Sequence, residues 1–361
     1  MIPIHILLAL ASLQAPQAVT LHVPAGAHEP QIAFRGDHVL VVFGTEDAVK
    51  AAESQDGGRS FGYLHGIARP GRLALGMRRG PRVAATARGF VVTAIAGEKG
   101  RGKDENLFAW LSSVHEDGLA WSSAVHINGV DGSAREGLHA LAAGPSHKVA
   151  VVWIDLRDGK SVLYGSASKD GGSTWSEPAV VYRSPDGNIC ECCHPSLAFD
   201  ERGVLYAMWR NQLDGARDLY VAESQDGGRT FGAARKQGTG SWKIAACPMD
   251  GGGIAALGAD EVVTVWRRES KIFRAGGTDE ELELGPGQQP VIASGPGGAW
   301  IAWSEGPGGR LVLLRPNAKE PLELAPSAIA GVLAGSLDGK GPVFAAWEIP
   351  GGALQFARID G

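Results

Sequence analysis

An all-β chain folded as a seven-bladed β-propeller is what the sequence predicts, and three observations carry the prediction. A short Asp- and Gly-rich string recurs at a period near 56 residues: SQDGGRSF at 54–61, SKDGGSTW at 168–175 and SQDGGRTF at 224–231, with a worn copy, VHEDGLAW, at 114–121. A single position that closes the second strand of each unit can be followed through Phe43, Ala94, Trp153, Trp209, Trp266, Trp303 and Trp347. The last unit is one strand short, and the N-terminal region offers an unclaimed strand, VTLHV at 19–23. A fixed period of this size means stacked supersecondary units, each unable to bury its apolar face alone. Radial stacking closed by pairing the two chain ends leaves no long free sheet edge.

The units share one grammar. A Pro- or Gly-led apolar strand comes first, such as PSLAFD (195–200); a Gly turn leads to a strand ending in an aromatic, such as GVLYAMW (203–209); a third strand, such as LYVAES (219–224), runs into the Asp-rich turn. Short runs of this kind, separated by turn residues, read as antiparallel four-stranded sheets. The final unit reads AGVLAG (330–335), PVFAAW (342–347) and ALQFARI (353–359), then the chain ends. Merging the last two units would give six blades, the alternative architecture.

Composition agrees. The 361 residues hold 52 Gly and 20 Pro, about twice the usual glycine share, and 44% are hydrophobic, so a large core with many tight turns is expected. A formal charge of −5 argues against nonspecific nucleic-acid binding, which needs a basic face. Residues 1–18, MIPIHILLALASLQAPQA, have the short apolar run and small-residue ending of a secretory signal, although the first residues carry no Lys or Arg. Removal after Ala18 would leave residues 19–361 as one exported domain, periplasmic or secreted, with no stable membrane span and as a monomer. Export would place the four Cys where disulfides persist.

The Ser-x-Asp-x-Gly-x-Thr-Trp/Phe string resembles the Asp box of sialidases and related propellers. Asp56, Asp170 and Asp226 are placed to accept backbone N–H bonds in the turn, Gly58, Gly172 and Gly228 to take φ > 0, and Phe61, Trp175 and Phe231 to pack beneath the hairpin. The resemblance implies that each box joins the third and fourth strands on the end away from the active site. It implies the fold and not the sialic acid chemistry. A sialidase needs three Arg for the substrate carboxylate, a Tyr nucleophile paired with Glu, and an Asp acid/base. The family's first Arg lies two residues before the Pro that opens the first blade; here that residue is His28, two before Pro30, and the FRGD at 34–37 falls at the opposite end. The family's Tyr comes from a late blade, whereas the last of five Tyr here is Tyr220, in blade four.

All four Cys fall in NICECCHP (188–195) and WKIAACPMDGG (242–252), each just before the first strand of a blade, four and five. The loops after each second strand open on the same end and bring Asp155, Arg157, Asp158, Arg210, Asn211, Arg267, Arg268, Glu269, Glu305 and Glu348; Glu136 and His139 precede blade three. The pair C-x-C-C and W-x-x-x-x-C-P-x-D-G is similar to motifs of a group of exported bacterial Asp-box propellers that are labelled sialidase-like without the sialidase residues. For the cluster itself several readings compete. Two disulfides would pair Cys247 with Cys192 or Cys193 and Cys190 with the other; spacing does not decide among the three connectivities, and a Cys192–Cys193 bridge is strained. A thiolate/imidazole set of Cys190, Cys192, Cys193, Cys247 and His194 would suit Cu(I) or Zn. One disulfide with a reactive pair is the mixed case, and no cofactor at all is equally compatible with the sequence.

The expected function is binding of a small molecule, a carbohydrate, a protein partner or a metal on this end, with Trp242, Lys243, Arg210 and Asn211 as ligand-binding candidates. Trp242 would either stack on a ligand or cap the cluster. The alternative is a glycoside hydrolase of the exo-α-sialidase type, for which Asp155, Asp158, Arg210, Asp250, Arg267 and Glu269 are the catalytic candidates. The charged, Gly-rich segment 97–106 reads as a long solvated loop over the same end.

Overall fold

The computed structural model describes residues 16–99, 102–115, 118–259, 261–276 and 280–360. Seven antiparallel sheets follow one another along the chain, each packing its first strand beside the first strand of the next. This is a seven-bladed β-propeller, with no helix among the described residues. The ring closes as its sequence requires: Ala18–Thr20 pairs with Leu354–Ile359, setting Val19 opposite Phe356, and the N–H of Leu21 extends the ladder to the carbonyl of Leu354. The paired strand therefore begins one residue before Val19. The signal-like stretch up to residue 15 lies outside the described residues.

Blade 2 departs from four plain strands. Its inner strand is split into Arg72–Leu73 and Arg82–Thr86, and its outer strand into Gly118–Trp121 and Val125–His126, both pairing with Asn106–His115. The worn box of this blade has become a tight hairpin, with its turn residues 116–117 outside the described set.

The closing positions Phe43, Ala94, Trp153, Trp209, Trp266, Trp303 and Trp347 are all buried. They mark the layer where adjacent blades meet, as in the cluster where Trp153 packs with Ile95 and Leu107 of blade 2. First strands rich in small residues (Ala33, Ala84, Ala142, Ala198, Ala255 and Ala293) line an axial channel of about 540 Å³.

Each good Asp box is a self-satisfied turn. In the blade 3 copy, Asp170 Oδ1 accepts the N–H of Thr174 at 2.9 Å, Oδ2 accepts its hydroxyl at 2.6 Å, and the Ser168 hydroxyl donates to Asp170 while accepting the N–H of Gly172. Asp56 and Asp226 repeat the pattern with Ser60 and Thr230. Gly172 has φ +96°, and a Cβ there would sit 2.8 Å from Val91 of the preceding blade; at Gly58 it would meet Phe356 and Phe344 of blade 7. Phe61 meets Phe356 edge-on at 4.8 Å, Phe231 packs on blade 3, and Trp175 joins the cluster shared with blade 2. The box thus staples its blade to the one before it. A related turn missed from sequence, Ser336-x-Asp338, closes the first hairpin of blade 7 with the Ser336 hydroxyl on Asp338 at 2.7 Å.

Partial burial opposes ionisation of Asp170, but the Thr174 and Ser168 hydroxyls and the turn N–H groups outweigh it and hold its carboxyl at about 2. A depressed folded pKa contributes stability that is complete above the unfolded value near ~3.9 and is lost as pH falls through the folded one. Chemical denaturation of Asp170→Asn across pH 2–6 is therefore expected to show a deficit relative to the parent that is constant above about pH 4 and shrinks toward pH 2.

Candidate functional site

Connections that enter first strands and those that leave second strands share the end opposite the Asp boxes. The structure places both cysteine segments there. Cys190 sits where the chain enters blade 4 (Ser196–Phe199, Leu205–Arg210, Leu219–Ser224, Arg235–Lys236), its N–H on the carbonyl of Arg210 at 3.0 Å and Ile189 bridged to Asn211. The next residues fold into a turn, with the Cys193 N–H facing the Cys190 carbonyl at 3.4 Å. That turn converges three sulfurs: Cys190–Cys193 at 3.3 Å, Cys190–Cys192 at 3.6 Å and Cys192–Cys193 at 4.0 Å. All three residues are buried.

All four cysteines are free thiols, with sulfurs well beyond the ~2.05 Å of a disulfide. Cys247 is exposed and is not one of the three converging sulfurs, though its charge acts on the same Arg217 guanidinium. His194 does not turn toward the sulfurs. Its Nδ1 accepts the N–H of Gly251 at 3.3 Å, which leaves Nε2 to donate to the carbonyl of Gly252 at 3.1 Å. Burial, with Arg78 and Arg82 nearby, pushes its pKa well down, so it is a neutral hinge between blades 4 and 5. The soft-ligand set expected from sequence is therefore reduced here to three thiols.

Two residues that sequence reasoning missed complete the surroundings. Arg217 donates from Nη1 to Cys190 Sγ at 3.1 Å, and Met249 packs against the three cysteines with its backbone at φ +54°. The N–H of Asp250 faces Cys193 Sγ at 3.4 Å. Hydrogen bonds from Cys192 and Cys193, followed by the charge of Arg217, hold Cys190 far below the ordinary thiol range; the bond to Cys190 pushes Cys192 up, and burial pushes Cys193 up. One thiolate stabilised by two thiols and a guanidinium is the resting state.

The other candidates are mostly consumed by the fold. Arg210, almost fully buried, donates to the carbonyls of Asp250 (2.9 Å), Arg217 (2.6 Å) and Arg267 (2.9 Å). Asp250 accepts the N–H groups of Gly252 and Gln289. Asp155 accepts from Ser133, from the Trp153 indole and from Arg157, whose guanidinium stacks on Tyr164 at 4.1 Å. Asp158 pairs at the surface with Arg183 at 2.7 Å. Glu269 is exposed in a positive-φ turn, and its carbonyl takes the Arg267 Nε–H. Arg268 is clamped on Glu281. Trp242 is buried between the guanidinium groups of Arg210 and Arg267, at 5.4 and 5.5 Å, so it braces the blade 4–5 junction instead of presenting a stacking face. Lys243 is exposed beside it. Asn211 donates to the Tyr182 hydroxyl at 3.0 Å, and its buried Oδ1 has no partner among the described residues.

At the axis, His28 pairs with Glu348 at 2.8 Å, so the position that would carry the first sialidase Arg already faces a carboxylate of the protein itself. Arg78, buried at φ +67°, spans to Gln289 of blade 6 and to the Gly331 carbonyl of blade 7 and closes this end of the channel. Beyond it, segment 97–106 borders a polar cavity of about 640 Å³ between blades 2 and 3, lined by Glu98, Lys103, Asp104, Arg135 and Arg157 among others. Asp104 and Glu105 hold the backbone of this segment.

No protein-family model and no curated protein matches the chain. Solved structures do match. YCF48 bound to D1 peptide superposes with TM-score 0.55 at 13% identity, covering 97% of this chain and 98% of that one. AofleA from Arthrobotrys oligospora gives TM-score 0.52 at 12% identity, covering 95% and 86%. The intramolecular trans-sialidase from Ruminococcus gnavus, in complex with oseltamivir carboxylate, gives 0.47 at 13% identity, over 92% and 94%. At these identities the likeness is one of fold.

Truncating Arg210 strands three buried carbonyls, each worth about 1–3 kcal/mol when unsatisfied. Arg210→Ala is expected to lower unfolding stability by at least about 2 kcal/mol in urea titration, whereas Asp158→Ala at the surface pair is expected to change it by less than about 1 kcal/mol.

Proposed function

We propose that this protein is an exported Asp-box propeller that binds a ligand on the cysteine-bearing end of blades 4 and 5 and does not hydrolyse glycosides. The observation that supports this reading is the convergence of three buried sulfurs beside Arg217, on an end where Asp155, Asp250 and Arg210 are already spent on internal hydrogen bonds. A hydrolase needs a carboxylate free to move a proton and a clamp free to hold its substrate. The exposed carboxylates on this end, Asp158 and Glu269, are surface groups with no nucleophile beside them to form a pair. YCF48 is a propeller of this general shape described with a bound peptide, which accords with a propeller end used for binding.

Export rests on the apolar opening segment and agrees with a strand that begins at Ala18, since cleavage after Ala15 would leave the closing strand whole. Two measurements test the reading. Reduced native protein treated briefly with iodoacetamide is expected to be alkylated at Cys247 and protected at Cys190, Cys192 and Cys193. A fluorogenic sialoside is expected to show no turnover above buffer. Turnover abolished by Asp158→Asn or Glu269→Gln would overturn the proposal in favour of the glycosidase reading.

A further inference from the structure

We infer that Cys190, Cys192 and Cys193, with Met249 beside them, form a binding site for a single Cu(I) ion. This rests on the cysteine-bearing end being the binding end, and it names the ligand class. The geometry comes first. Three sulfurs held by one ion at about 2.3 Å stand roughly 3.8–4.0 Å apart. The three thiols already form a triangle of 3.3, 3.6 and 4.0 Å, so an ion needs only a few tenths of an ångström of opening on two edges.

The donor set decides which ion. Structural zinc asks for four ligands, commonly with imidazole or carboxylate among them. Here both nitrogens of His194 are taken by the backbone of Gly251 and Gly252, both oxygens of Asp250 accept backbone N–H groups, and Cys247 is exposed, outside the converging group. What remains in contact with the triangle is the thioether-bearing side chain of Met249. An all-sulfur set of low coordination number, thiolate with thioether, selects Cu(I).

The charge is also provided for. Three thiolates around a monovalent ion leave two negative charges in a buried turn. The Arg217 guanidinium lies on Cys190 Sγ, the Asp250 N–H points at Cys193 Sγ, and the Arg210 guanidinium ties the Asp250 and Arg217 carbonyls just behind. Such outer partners set ligand basicity and hold the ligands in place. Binding changes no oxidation state: copper arrives as Cu(I), three Cu–S bonds form, and the protons still carried by the thiols leave to solvent.

The test is anaerobic titration of the reduced full chain with Cu(I) buffered by bicinchoninate, read as loss of the coloured chelate. The expected result is one Cu(I) per chain withdrawn from the chelator. Cys190→Ser and Cys193→Ser are expected to weaken retention at least a hundredfold. Arg217→Met and Met249→Leu are each expected to weaken it about tenfold, with Met249→Leu melting like the parent, so that one informative variant remains if a cysteine variant fails to fold. Failure of the folded, reduced parent to withdraw Cu(I), or full retention in Cys190→Ser, would overturn the inference. Tighter retention of Zn(II) than of Cu(I), indifferent to Met249→Leu, would overturn the copper assignment. In each of those cases protection of the three thiols from iodoacetamide leaves the binding end standing, whereas sialoside turnover strikes that reading itself.

Discussion

Arg210 is the side chain on which the arrangement of the cysteine-bearing end depends. Its backbone carbonyl receives the Cys190 N–H, and its guanidinium holds the carbonyls of Asp250, Arg217 and Arg267. Those attachments fix the turn that carries three sulfurs, the segment that carries Met249, and the residue whose guanidinium meets Cys190. A buried charge spent wholly on carbonyls is costly to place and costlier to break. Fixing three segments from two blades at one point repays that cost in geometry. Trp242 covers the same guanidinium and that of Arg267, which keeps the junction dry.

The two ends of the propeller divide the work. At one end the Asp boxes satisfy their own polar groups and wedge each blade against its predecessor through Gly58, Gly172 and Gly228. That leaves the other end free of any duty in blade stapling, and the irregular connections gather there. It is there that the chain carries positive-φ residues which are not glycine, Glu29, Arg78, Met249 and Gln289, each shortly before a first strand. Strained backbone held by surrounding structure accumulates where side chains must be aimed. Arg78 is aimed across the axis, and Met249 at the sulfurs.

Much of the fold was legible because its causes are local and repeated. The Asp-Gly strings, the closing Trp positions and the orphan N-terminal strand each have one structural outcome, and the boundaries 330–335, 342–347 and 353–359 fall within a residue of the observed strands. The split strands of blade 2 were not legible, since a two-residue pairing carries no periodic pattern. The site was legible as a place more than as a constellation. Cysteine spacing indicated the end and the pair of blades, but which sulfurs meet depends on a turn and on Arg210, neither of which has a sequence period. His194 stood beside the cysteines in the chain and faces blade 5 in space. Arg217 and Met249 are 27 residues after Cys190 and two after Cys247, and only the folded junction brings them to the cluster. Among the carboxylates, Asp155 and Asp250 looked available in sequence because their partners are backbone N–H groups and an indole, which leave no motif.

The measurement that bears most directly on this account is X-ray absorption at the copper edge on the anaerobic full chain loaded with one equivalent of Cu(I). Three sulfur scatterers at about 2.3 Å, with no nitrogen or oxygen in the first shell, is the predicted spectrum. A first shell containing imidazole nitrogen, or a spectrum unchanged by replacing Cys193 with Ser, would contradict it.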